Sequence, residues 1–137
     1  MIKNKKPELK TEYNLTMQDE INAINEIAGM FFQEKADKDG NVIIEYTPYY
    51  EKLGQINAIA KYFIHGIEFE PGEDIYNAVM QDKDIRPLID EVILPLKEKV
   101  TVLTFQQKIF LDVIDKVYDI VEYRKSINIA KIQSKSN

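Results

Sequence analysis

The stretch GIEFEPGEDIYNAVMQDKDIRPLIDEV, Gly66 to Val92, sets eight carboxylates against one lysine and one arginine. Acids at that density suit a divalent-cation site, acid–base catalysis by a carboxylate pair, or a charged face for a basic partner. Glu68 and Glu70 in IEFE fall on one side of an extended chain, with Ile67 and Phe69 on the other, and such a pair can share a proton or hold a cation. A metal site would need Glu68, Glu70, Glu73 and Asp74 to converge within about 2.0–2.6 Å of one ion. Pro71 and Gly72 supply a turn that would allow it. Glu73 and Asp74, however, also fall in the first turn of an expected helix, where acids are favoured by the helix dipole and by capping. The acids are therefore read as a solvated face for a basic surface. Lys3, Lys5, Lys6, Arg124 and Lys125 of a neighbouring copy are its first candidates.

The other chemistry-bearing residues are few. Cysteine is absent, which removes thiol nucleophiles, disulfides and thiolate metal sites. His65, the only histidine, is expected in the last turn of a helix, where it interacts with the dipole. Ser126, Ser134 and Ser136 all lie near the end of the sequence, in no position to be held rigidly in a pocket. The glycines never fall two apart, so no phosphate-cradling loop or dinucleotide fingerprint exists. Asp37, Asp39 and Gly40 begin like a calcium loop, but the glycine comes too early. The expectation is a protein that is not an enzyme, with no catalytic residue, no cofactor and no metal.

With 137 residues, 45% hydrophobic and 30% charged, the chain has the size and balance of one folded domain. MIKNKKPELK lacks the apolar stretch of a signal peptide, and no apolar run reaches the roughly 18 residues of a membrane span. A soluble, unexported protein is expected. The net charge of -5 argues against a phosphate-binding face, so nucleic acid is an improbable partner. Basic segments, an N-terminal arm (1–14) and a C-terminal tail (126–137), flank the acidic middle, a pattern suited to contact with copies of itself or docking into a larger assembly.

These residues must be positioned by a mostly α, single-domain bundle of about five helices with one short β element near residues 41–46. Thr16 and Asp19 open a helix running from Met17 to Gln33, with Ile21, Ile24, Ile27, Ala28, Phe31 and Phe32 recurring at helical spacing. ADKDGN is a turn and NVIIEY a short strand. Thr47 caps a second helix, striped by Tyr49, Leu53, Ile56, Ile59, Ala60 and Phe63, that Gly66 closes. A third runs from Pro71 to Gln81; Asp84 caps a fourth that ends near Leu94 because of Pro95. Thr104 and Gln107 form the capping box of a fifth, Phe105 to Lys125, with Phe110, Val113, Ile114, Val117, Ile120 and Val121 along one face. Of the eight tyrosines, Tyr49, Tyr62, Tyr76 and Tyr118 fit core stripes, and Tyr13, Tyr46, Tyr50 and Tyr123 are the surface candidates.

The segment YTPYYEKLGQINAIAKYFIHGIEFEPGEDIYNAVMQDKDIRPLIDEVI carries a Tyr-rich helix, an acidic turn and a D-I-Y-x-x-V-M-x-D helix in that order. In this it resembles small accessory proteins of bacteriophages and prophages of AT-rich hosts, a genome type with which the Lys, Ile and Asn richness agrees. The resemblance implies a virion or assembly component, docking through protein–protein contacts with other virion proteins or copies of itself. Such a protein would occupy the host cytoplasm during expression and then the virion. The alternative is a soluble inhibitor that binds a host defence or regulatory protein through its acidic surface.

Overall fold

The computed structural model describes residues 2, 3 and 5–136, with side chains through residue 127. Its elements are β1 (Glu8–Leu9), α1 (Met17–Gly29), β2 (Phe32–Ala36), β3 (Val42–Tyr46), α2 (Glu51–Ala58), β4 (Ile64–His65), α3 (Ile75–Met80), α4 (Arg86–Lys97) and α5 (Phe105–Ser136). Two antiparallel two-stranded sheets, β1 with β4 and β2 with β3, accompany the five helices. With about 56% of residues helical and 13% in strands, this is an α+β arrangement. The expected helical bundle with a single β element is thereby corrected.

The correction has two physical sources. The run VIIEY cannot be a strand alone, because its backbone donors and acceptors need a neighbour. The preceding residues provide it: α1 stops at Gly29 instead of Gln33, and β2 pairs with β3 from Phe32 opposite Tyr46 to Ala36 opposite Val42. Phe31 and Phe32 fit the helical stripe as well as a strand, so periodicity could not separate the two. The link between the strands is held by the Asp37 carboxylate, which accepts from the amides of Asp39 and Asn41, both at 2.9 Å. The second sheet arises because the segment before Lys10 lies antiparallel to residues 63–68.

The helices pack on one core. Ile24, Ile27 and Ala28 of α1, Ile56 of α2, Ile89, Val92 and Ile93 of α4, and Phe110, Val113, Ile114, Val117 and Val121 of α5 are buried together. The Phe63 and Phe110 rings meet edge to face at 5.7 Å. Gly54 lets α2 approach α1 closely: a Cβ there would lie 3.2 Å from the Ile27 Cα.

The two capping boxes form as expected. Thr16 Oγ1 accepts from the Asp19 amide at 3.1 Å while Asp19 accepts from the Thr16 amide at 3.0 Å. Thr104 and Gln107 make the same exchange at 3.1 and 2.9 Å. Other caps differ. Thr47 is buried and its hydroxyl donates to the Met30 carbonyl; the chain enters α2 through a 3-10 turn, Pro48–Tyr50. After Ala58, a π turn, Ile59–Phe63, ends that helix before His65, which lies in β4 opposite Glu8 and not in a last helical turn. Asp74 caps a shorter α3, so Glu73 precedes the helix. Asp84 does not cap α4, whose first turn has no side-chain cap; Asp82 instead closes the preceding turn, its Oδ1 accepting from the amides of Asp84 and Ile85 at 2.9 and 3.0 Å.

Pro95 lies inside α4, which runs on to Lys97. A proline there leaves the Glu91 carbonyl without its helical donor. The buried Gln107 side chain supplies a replacement, Nε2 donating to Glu91 O at 2.8 Å. One side chain thus starts α5 and mends α4. Beyond Lys125, α5 continues to Ser136. The side chains of Lys131 and Lys135, assigned above to a basic tail, lie outside the described residues, as does Asn137.

Candidate functional site

The N-terminal arm and the acidic segment meet within one chain. The Lys3 amide donates to Glu68 O at 2.9 Å, the Glu68 amide returns to Lys3 O at 3.2 Å, and the Lys6 amide reaches Gly66 O at 2.7 Å. Gly66 has φ +81°, and its missing side chain is what admits the Lys6 carbonyl. The arm is further tied at Lys10, whose amide donates to Phe63 O at 2.8 Å and whose carbonyl accepts from Gln106 Nε2 at 2.9 Å. Lys5 then sits between two acids, Nζ at 3.1 Å from Asp82 and 2.9 Å from Asp84.

These contacts set the electrostatics. Burial pushes the Asp82 carboxyl up, but the Asp84 amide, the Lys5 ammonium and the Ile85 amide outweigh it and lower its pKa. The bonds its ammonium donates to Asp84 and Asp82 raise that of Lys5. Lys5, Glu73, Asp74 and Asp82 line a shallow open depression together with Ile2 and Gln81. Glu68 and Asp74 are exposed, Glu70 and Glu73 half-buried. Among the described residues, no three His, Asp or Glu side chains are grouped as a metal site would require. His65 Nε2 lies 3.4 Å from Glu8 Oε2, away from any second histidine.

Arg124 and Lys125 are elsewhere. The Arg124 guanidinium stacks over the Phe32 ring, 5.9 Å from its centroid, and the Lys125 ammonium lies 4.3 Å from the centre of the Tyr46 ring and 3.2 Å from Glu122. Both hold the β2–β3 hairpin against α5, and neither joins the acidic depression of its own chain.

The hairpin carries the surface that sequence reasoning missed. Val42, Ile43, Ile44 and Tyr46 are 70, 47, 57 and 42% exposed. Around them Phe31 stacks on Tyr46, Tyr118 meets Phe31 edge to face, and Tyr49 packs against Tyr50. Tyr49 and Tyr118, expected in the core, are exposed; Tyr13, Tyr46, Tyr50 and Tyr123 are exposed as expected, and Tyr62 and Tyr76 pack against the core. The Tyr118 hydroxyl donates to Glu51 Oε1. Burial and that carboxylate push the Tyr118 phenol up to about 12.

A signal for this surface was present in VIIEY. Consecutive β-branched residues in a strand place apolar groups on both faces, and a two-stranded ribbon cannot cover both. The tyrosines and Arg124 beside these solvent-exposed aliphatic residues are of the types enriched at interface centres. Comparison with protein-family models, with curated proteins and with solved structures finds no match for the chain.

Proposed function

We propose that this chain is a non-enzymatic assembly protein that works by docking onto other proteins, as a structural or assembly component of a bacteriophage particle. The observation that carries the docking reading is the exposed apolar strand β3 with its flanking tyrosines. A patch of this kind on a small chain marks a contact surface more often than a reaction site. The phage context rests on the resemblance of residues 46–93 alone.

The alternative, an inhibitor presenting acids in place of nucleic acid, has less support. Asp82 and Asp84 are already engaged by Lys5 of the same chain. The test combines light scattering of the full chain with individual virion proteins and mass spectrometry of purified particles. Co-elution with a virion protein, lost in an Ile43→Ser, Ile44→Ser double variant, is the expected result. Absence from particles together with no association would overturn the proposal.

A further inference from the structure

We infer that strand β3 is the pairing edge of a two-fold dimer, two copies joining their hairpins into one four-stranded antiparallel sheet centred on Ile44. This rests on the docking reading above and names the first partner as a second copy of the chain.

The ladder decides which backbone groups are available. The Thr47 amide donates to Phe31 O at 2.6 Å and the Asp37 amide to Asn41 O at 2.8 Å, at the two ends of one register. Because bonded pairs alternate in an antiparallel ladder, Glu45 and Ile43 also turn their amides and carbonyls toward β2. Val42, Ile44 and Tyr46 therefore turn theirs outward along the free edge of β3. The opposite edge belongs to β2, where Glu34 and Lys35 supply the charges that ordinarily discourage pairing. Edge β3 has no lysine, proline or bulge, and its one charge, Glu45, is held at 2.6 Å by Lys35 of the same hairpin.

Charge and register select a second copy as the occupant. A two-fold axis at Ile44 places Val42 opposite Tyr46 and Ile43 opposite Glu45, so every outward-turned residue meets another and the overlap is the longest the strand permits. Val42 with Tyr46 is a β-branched–aromatic pair of the stabilising kind. An axis at Glu45 would set two carboxylates face to face, which this register avoids. On the other face each Glu45, already neutralised by Lys35 of its own hairpin, meets Ile43 of the second copy and no like charge. A two-stranded ribbon is marginal by itself, and four strands backed by α5 form a covered sheet.

The test uses the whole chain. Sedimentation equilibrium across about 1–100 µM should show a reversible monomer–dimer equilibrium, as fits a contact of this size. Ile44→Pro removes an outward amide while leaving the hairpin's own bonds intact, a substitution edge strands tolerate; with its circular dichroism unchanged it should weaken dimerisation at least 10-fold. Because the chain has no cysteine, register can be read directly. Ile44→Cys should oxidise to a linked dimer alone, whereas Val42→Cys and Tyr46→Cys should link only when mixed. A monomer at all these concentrations would overturn the inference, as would a linked dimer of Val42→Cys alone, or a monomer whose β3 pairs only with a foreign peptide. A chain that stays monomeric yet is found in particles defeats the dimer and leaves the assembly role standing; a dimer absent from particles does the reverse.

Discussion

A methyl group added at Gly66 would fall 1.9 Å from the Lys6 carbonyl oxygen, on backbone with φ +81°. Gly66→Ala is therefore expected to lower stability by about 2–4 kcal/mol, combining strain with loss of the arm's contacts, and trypsin should then cut after Lys3 and Lys5 more readily than in the parent, Lys6 being protected by Pro7. Asp82 acts at the same junction. Its folded pKa is depressed below the ordinary aspartate value, so its stabilisation is present above that ordinary value and is lost as pH falls through the folded one. Asp82→Ala should cost about 1 kcal/mol at pH 7, with the difference from the parent shrinking as pH falls through the lowered folded pKa. Tyr118 runs the other way: its pKa is raised from 10.0 to about 12. Stability that depends on the neutral phenol is whole below pH 10 and lost as pH rises through about 12. An absorbance titration should lose its step near pH 12 in Tyr118→Phe. None of these residues was assigned its role from sequence, because each depends on a partner far along the chain.

The capping boxes of α1 and α5 were legible, since a box is written within four residues and needs nothing distant. So was the buried face of α5, where Phe110, Val113, Val117 and Val121 repeat at helical spacing and are buried as that spacing requires. Strand β2 was not. FQEKA has weak β preference of its own, and it becomes a strand because VIIEY follows across a tight turn. Similarly, Pro95 read as a stop for α4, and the helix continues because Gln107 satisfies the carbonyl that proline abandons. Gln107→Leu removes a donor and an acceptor from a buried position, leaving Glu91 O and the Thr104 amide without these partners. Urea unfolding should show a loss of about 2–4 kcal/mol. Gln107→Glu keeps the acceptor for Thr104 but sets a buried carboxylate oxygen against Glu91 O, so at pH 7 it should be at least as destabilised as Gln107→Leu and should recover in acid, where a protonated carboxyl can donate.

At the scale of the molecule, composition correctly indicated enough apolar sequence for one core, and the core residues of α1, α2 and α5 were largely those of the periodic stripes. Among the described residues, no helix is long and apolar enough to cross a membrane. The charge asymmetry was also legible, but its main outlet is within the chain: the Lys5 side chain reaches Asp82 across 77 positions of sequence. Sequence shows that opposite charges exist without showing whether they meet in the same copy. The way the arm is tied down has a temporal consequence. Its anchors are residues 63–68, Asp82, Asp84 and, 96 positions beyond Lys10, Gln106. Contacts so distant in sequence close slowly, and on a ribosome they cannot close until their partners have emerged. The arm, made before its anchors, is therefore fixed after them. In pulsed hydrogen exchange during refolding, the amides of Lys3, Lys6 and Lys10 should gain protection after those of α1, whose capping and packing against α2 are largely complete before the arm finds its place.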